Sequence, residues 1–451
     1  MIKVMKFGGT SMGSVDALNR TSAIIGREQA KKAVVVSAMS GVTNYLISCV
    51  REQPEVESAL EHLRGKYSSA AREMLSEERF NEYLTDLDAS LSSLGEHLEA
   101  RRDSGPDPVL EDTIICWGER LSTITLASIL QEKGIQAVAF SSEEAGIVAE
   151  GSPTNGSADL SATHANLCRT VVPLLDRGIT PIITGYYGAD RSGRPVTFGR
   201  GGSDYSGSVV ANGIDANCYE VWTDVNGFMT ADPRVVPEAR TIDEMDYSEA
   251  AELAYFGAKV LHPRTVEPVR RKSIPLMVKN TFNPDSRGTL VRNQKCNTPE
   301  ILRSVAAKGD LSIIKIYSSE VVYNPGLIAR LIGSVSEAAV NTYAVSTSLS
   351  TLAVALPTPA IPCVLDKLKA LHEDQIEKMT VKGNVSLICC VGDNMINTFG
   401  VAAKVFSTVS ASGANVEMIS EGASDVALNF MVPSDMAADV IRTIHRTFIG
   451  G

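Results

Sequence analysis

No apolar run approaches 18 residues and no leader-like segment opens the chain, so neither a membrane span nor export is expected. Positive charge is in short supply. Lys and Arg number 42 against 53 Asp and Glu, for a net charge of -11. A chain without basic excess has little to neutralise nucleic-acid phosphates, so nucleic acid is not expected as a partner. The eight cysteines are scattered, with no C-x-x-C pair. That pattern fits a reduced, cytoplasmic setting better than a disulfide framework. Cys389 and Cys390 lie in an apolar, strand-like stretch and read as core. What remains is an ordinary globular composition, 44% hydrophobic and 21% charged over 451 residues, long enough for about three domains.

The most informative stretch is Thr197-Phe198-Gly199-Arg200-Gly201-Gly202-Ser203-Asp204. Its glycines let the backbone approach a ligand closely. A helical pattern from Ser203 turns a positive dipole end toward that ligand. Arg200 offers a planar fork for a carboxylate or phosphate. Asp204 can orient an amine or help hold a metal. Alone, this could be a tight turn between strand and helix. A second glycine turn, Lys6-Phe7-Gly8-Gly9-Thr10-Ser11, changes that balance. Lys6 ends a short apolar strand, where an ammonium can meet a phosphate. This is not a Walker A loop, because its lysine precedes the glycines.

Apolar runs at 33–36, 137–140, 180–184 and 219–223 alternate with helical patterns. The alternation predicts an α/β fold, a mainly parallel sheet with helices on both faces. Ligands in such sheets bind beyond the carboxyl ends of the strands. Ser37 and Thr43, in the small-residue loop after the second strand, are therefore candidate contacts. Residues 54–102 read as a helical excursion shaping a cleft. Glu119 and Arg120 sit in an otherwise apolar segment, where unpaired charge is costly. They could pair with each other, or Glu119 could accept from a substrate ammonium. His262 precedes Pro263 and reads as structural.

Lys6 to Thr10, Ser37-Ala38, Gly118-Glu119, Gly199 to Asp204, Trp222-Thr223-Asp224, Asp232-Pro233-Arg234 and Phe256 to Pro263 resemble, in order, the motifs of aspartate kinases, members of the amino acid kinase family. The resemblance covers residues 1–295 as one catalytic domain. It looks closest to archaeal-type enzymes through residues 254–259 and 278–282. It implies ATP-dependent phosphorylation of the L-aspartate side chain, with Mg²⁺ carried by ATP and no certain side-chain metal ligand. By the same resemblance Lys6 neutralises the transferring phosphoryl group and Asp204 orients Lys6. Arg200 takes a carboxylate of aspartate, Glu119 its ammonium, and Thr43, Gly201, Gly202 and Ser203 line the acceptor. Lys6, Gly8, Gly9, Ser37, Thr223, Asp224, Met229, Asp232, Arg234, Lys259 and Val260 would hold ATP. Met229 stands where the family often has tyrosine beside the adenine. A glutamate or acetylglutamate kinase, or an amino-acid sensor on a dead kinase fold, remains the alternative.

Beyond residue 295 a unit repeats. Gly326, Ala329, Val335, Ser336, Asn341 and Ser346 recur as Gly400, Ala403, Val409, Ser410, Asn415 and Ser420. The copies resemble ACT modules, α+β units that bind amino acids, over 305–383 and 384–451. The alternative is two domains used only for dimerisation. The resemblance implies a homodimer or homotetramer through these modules and effector contacts at Gly326, Tyr343, Asn415 and Glu417. Lysine-inhibited relatives carry an acidic group where this chain has Tyr343. Lysine is therefore expected to inhibit weakly or not at all through the first module, and threonine is the expected effector on the archaeal likeness alone.

Overall fold

The computed structural model describes residues 1–257, 260–294, 301–321, 323–338, 340–371, 374–393, 395 and 398–450. The described chain forms two compact units. One comprises residues 1–228, 241–251 and 259–294, the other 229–240, 252–258 and 295–451. The break expected near residue 295 is thus joined by two earlier segments, 229–240 and 252–258, that cluster with the C-terminal part.

The first unit is built on an eight-stranded sheet. Its order is Glu244–Asp246, Thr289–Arg292, Leu276–Asn280, Cys218–Thr223, Ile2–Phe7, Lys31–Val36, Thr180–Thr184 and Ala137–Phe140. Every pairing is parallel except Leu276–Asn280 with Thr289–Arg292. The central strands are apolar on both faces, as a sheet covered on both sides requires. Met5, Val34, Val36 and Ile182 join one core with Leu18 and Ile25 of the helix Val15–Arg27 and Ile129 of the helix Trp117–Glu132. The helix Gly202–Gly213, buried nearly throughout, packs on the strands Ile2–Phe7, Lys31–Val36 and Cys218–Thr223.

The excursion is helical, as expected. Helices Val56–Arg72 and Glu77–Ser104 bury Leu63, Tyr67, Leu87 and Leu94 at helical spacing. Tyr67 donates to the Gly118 carbonyl at 2.9 Å and so fixes the start of the helix Trp117–Glu132.

The second unit holds a six-stranded antiparallel sheet, in the order Ala344–Thr347, Thr351–Pro357, Ser304–Tyr317, Lys378–Val391, Ala427–Pro433 and Met418–Ser420. Sequence alone suggests two short strands at 311–316 and 385–391. Each is instead 14 residues long. Ser304 to Lys308 pair with Leu387 to Val391, and Leu311 to Tyr317 pair with 378–385. Both long strands therefore serve both modules. One core gathers Ile314, Ile316, Leu331, Val354 and Val364, the other Val305, Ile388, Val405, Phe430 and Ile444.

Candidate functional site

Four parallel strands deliver their carboxyl ends to one edge of the first sheet: Ile2–Phe7, Lys31–Val36, Thr180–Thr184 and Cys218–Thr223. Lys6 is 6% exposed, and its ammonium forms an ion pair with Asp204 in the first turn of Gly202–Gly213. Residues 198 positions apart meet because the strand end and the helix start share that edge. Gly8 donates to the Trp222 carbonyl at 3.2 Å, and Ser37 donates to the Phe7 carbonyl at 3.1 Å. The first glycine turn is thereby tied to the strands on either side. A Cβ on Gly8 would lie 3.5 Å from the Lys6 ammonium.

Glu119 is 2% exposed. Gly118 explains its placement. A Cβ there would stand 2.7 Å from that of Ala38, so glycine lets the helix approach the loop after Val36. The Ala38 amide donates to Glu119 Oε1 at 3.1 Å, while Oε2 is buried without a partner. Burial pushes this carboxyl up to about 8. An ammonium arriving at Oε2 would satisfy it and restore the charge. The expected alternative, a pair with Arg120, does not form. Arg120 pairs instead with Glu143 and lies between the rings of Trp117 and Tyr187, 5.0 and 5.6 Å from their centroids.

The second glycine turn holds Gly199 at φ 72° and Gly201 at φ 70°, left-handed values that disfavour any side chain. Gly201 caps the helix Gly202–Gly213. The turn's carbonyls and amides close on one another, with Gly202 donating to Gly199 at 2.9 Å. Ser203 is buried, whereas Arg200 projects into solvent. A Cβ on Gly201 would fall 2.1 Å from that of His262, so His262 packs directly on the turn. Its ring also accepts from the Arg264 amide at 3.4 Å, a structural role as expected. Thr43, expected in a loop, lies instead in the first turn of the helix Val42–Glu52, which follows the loop that carries Ala38.

The nucleotide-side residues are more dispersed. Thr223 ends its strand and donates to Asp224 at 3.2 Å, and Asp224 is exposed. Met229, Asp232 and Arg234 belong to the second unit, where Arg234 grips Asp232 through both carboxylate oxygens. Val260 belongs to the first unit. Lys259 lies outside the described residues.

Of the effector positions, Gly326 and Asn415 are exposed. Tyr343 sits one residue before the strand Ala344–Thr347. Its ring lies 5.4 Å from that of Tyr255, and the Lys308 ammonium lies 5.7 Å from its centroid. Glu417 is engaged by Lys382.

Two residues of this site escape a sequence reading. Tyr186 adopts φ 76°, uncommon for a bulky side chain. Its carbonyl accepts from Phe198 at 2.8 Å, and a Cβ on Gly202 would meet its ring at 2.9 Å. Burial, then the nearby Glu119 carboxylate, pushes its phenol well above the usual range. Asp112, wholly buried, accepts from the amides of Thr154 and Thr197 at 3.1 and 2.8 Å and from the Thr197 hydroxyl at 2.9 Å. Only Tyr186's place directly after the glycine that ends a strand could have flagged it.

Comparison with known proteins sharpens this geometry. The model of the amino acid kinase family matches residues 1–280, and an ACT domain model matches 388–448. The chain is 32% identical to the lysine-sensitive aspartokinase 3 of Escherichia coli, covering 98% of both chains. It is 29% identical to aspartokinase 1 of Arabidopsis thaliana chloroplasts, over 99% of this chain and 80% of the relative. Among solved structures, E. coli aspartokinase III in complex with aspartate and ADP matches with TM-score 0.85 and 30% identity, covering 99% of both chains. The same enzyme with lysine and aspartate matches at 0.83 and 29%, with the same coverage. The expected archaeal affinity finds no support in these bacterial and plant relatives. The chain belongs to the amino acid kinase family, among its aspartokinases.

Proposed function

We propose that this chain transfers the γ-phosphoryl group of ATP to the side-chain carboxylate of L-aspartate. The products are 4-phospho-L-aspartate and ADP, and the reaction is the first step toward lysine, threonine and methionine. The observation that carries the reading is a buried lysine paired with a half-buried aspartate, beside a buried glutamate with one unpartnered oxygen. It is supported by the E. coli relative solved with aspartate and ADP.

The acceptor carboxylate is ionised at neutral pH, so the site needs no general base. One carboxylate oxygen bonds to phosphorus as the bond to the β-phosphate oxygen breaks, and ADP leaves with that electron pair. The work left to the protein is alignment and charge neutralisation. Lys6 meets the transferring phosphoryl group, and Asp204 aims Lys6. The start of the helix Gly202–Gly213 supports phosphate oxygens. Glu119 takes the ammonium of aspartate and Arg200 a carboxylate, with Thr43, Gly201, Gly202 and Ser203 around them. Gly8, Gly9, Ser37, Thr223, Asp224 and Val260 hold the nucleotide. Mg²⁺ enters with ATP. As a hard cation it would offset phosphate charge during the transfer.

An amino acid is the effector in this reading. The E. coli relative was solved with lysine, so lysine is the first candidate, and threonine keeps no support beyond the archaeal likeness. Assembly is a homodimer or homotetramer in the cytoplasm. Exposed Val345, Val381 and Ile419 on the six-stranded sheet favour a partner surface. No described helix is long and apolar enough to cross a membrane.

The deciding test is a coupled assay of ADP release. Release with aspartate and little with glutamate is expected. Preference for glutamate, or release with neither, would overturn the proposal.

A further inference from the structure

Arg264, on the short turn Pro263–Thr265, is not accounted for by the chemistry above. Its guanidinium donates to the Phe198 carbonyl at 3.0 Å, to the Gly156 carbonyl at 2.7 Å and to the Ser157 hydroxyl at 3.0 Å. It also stacks 4.7 Å from the centroid of Tyr205. These partners come from two segments, the loop 151–157 and the strand end leading into Arg200. The segments are already joined, because the Gly156 amide donates to the Thr197 carbonyl at 2.9 Å. From the inside, Asp112 grips the same pair through Thr154 and Thr197. A buried carboxylate on one side and a guanidinium on the other therefore clamp the chain two residues before Arg200. A planar fork suits that task, since one group can hold two carbonyls at a fixed spacing.

We propose that Arg264 is a positioning residue for the acceptor. It fixes the turn Gly199–Gly202, and with it the Arg200 fork, from the segment directly following Val260 on the nucleotide side. The inference rests on the proposed aspartate kinase activity. Arg264 touches neither substrate. Its loss frees the Phe198 and Gly156 carbonyls to take water, and the turn relaxes away from its productive place. Displacements of about 1 Å are enough to matter for alignment. The acceptor side should suffer and the nucleotide side should not.

The test uses the full chain with Arg264→Ala and Arg264→Lys, each assayed for KM of aspartate, KM of ATP and kcat, beside a melting curve. For Arg264→Ala the KM of aspartate should rise about tenfold, with the KM of ATP held within about twofold. Arg264→Lys puts a single ammonium in place of the guanidinium fork and should recover part of the loss. Should the alanine variant melt early, the lysine variant carries the test through the same split between the two KM values. An unchanged KM for aspartate, or equal rises for both substrates, overturns the inference while the parent still phosphorylates aspartate. A parent that neither binds nor phosphorylates aspartate overturns the functional reading first, and this inference with it.

Discussion

The two sheets spend their strand ends differently. In the eight-stranded sheet, parallel strands send Gly8, Ser37, Gly185 and Asp224 out at a single edge, so chemistry gathers from distant parts of the sequence. In the six-stranded sheet, antiparallel neighbours send loops to both ends, and two strands pass through both modules. The first arrangement concentrates function at a point, where single side chains carry large consequences. The second spreads a pairing over 14-residue strands, where single side chains should matter less to turnover.

That contrast is tested most severely at Lys6. Lys6→Ala should lower kcat on the order of 10²-fold or more while the melting temperature holds, because one lost charge contact at a phosphoryl group is worth that much. Asp204→Ala should do nearly the same. Steady-state rates within about threefold of the parent would break the comparison.

Glu119 comes next. Glu119→Gln should raise the KM of aspartate by about tenfold or more and leave the KM of ATP nearly unchanged, since a charge partner for a buried ammonium is removed. Its titration adds a second measurement. In the folded, unliganded chain this carboxyl holds its proton to about 8, against 4.5 for the unperturbed group. The folded state binds more protons between those values. The stabilisation is complete below the lower value and is lost as pH rises through the upper one. Thermal melts of parent and Glu119→Gln should therefore diverge across that window, with the variant falling less steeply. Parallel curves would show that Glu119 is charged without its ligand.

Smaller effects are expected in the six-stranded sheet. Tyr343 places an aromatic ring, already packed near Tyr255, at the expected effector position. An ammonium buried there would lack a charge partner. Although lysine is the first candidate effector, it should inhibit only weakly through this first module at up to millimolar concentration. Strong inhibition that disappears on changing Tyr343 would show that the pocket works in another way. Smallest of all, Glu417→Gln breaks a pair whose lysine is half exposed, and it should cost less than about 1 kcal/mol in chemical denaturation with turnover unchanged. A large loss of activity would make the second sheet as concentrated as the first.

Much of the candidate site was legible because its residues announce themselves in contiguous motifs. Lys6 stands beside Gly8 and Gly9, Glu119 beside Gly118, and Asp204 beside Gly201 and Gly202. Asp112 and Arg264 carry no such local signature. Asp112 meets Thr197 across 85 positions and Arg264 meets Phe198 across 66, so only the folded chain reveals these contacts. The internal repeat was legible as similarity between segments. It misled about strand length, because a repeat records local pattern and not which neighbour a strand pairs with. The extra residues at 304–308 and 378–384 are mixed in polarity and lack the apolar run that marks the buried halves.

Where the long strands change modules, Ser304–Tyr317 shifts register around Asp310, which adopts φ 60°, and Lys378–Val391 carries Asn384 at φ 58°. Such left-handed residues are tolerated singly and bend a strand locally. Viewed as an engineering joint, this is a crossing of two continuous beams rather than a seam between two blocks. A gene cut at residue 383 would leave each fragment with half of a borrowed strand and an exposed row of unpaired amides and carbonyls. Exchange of a module between relatives must therefore carry both beams along, or replace the pair together.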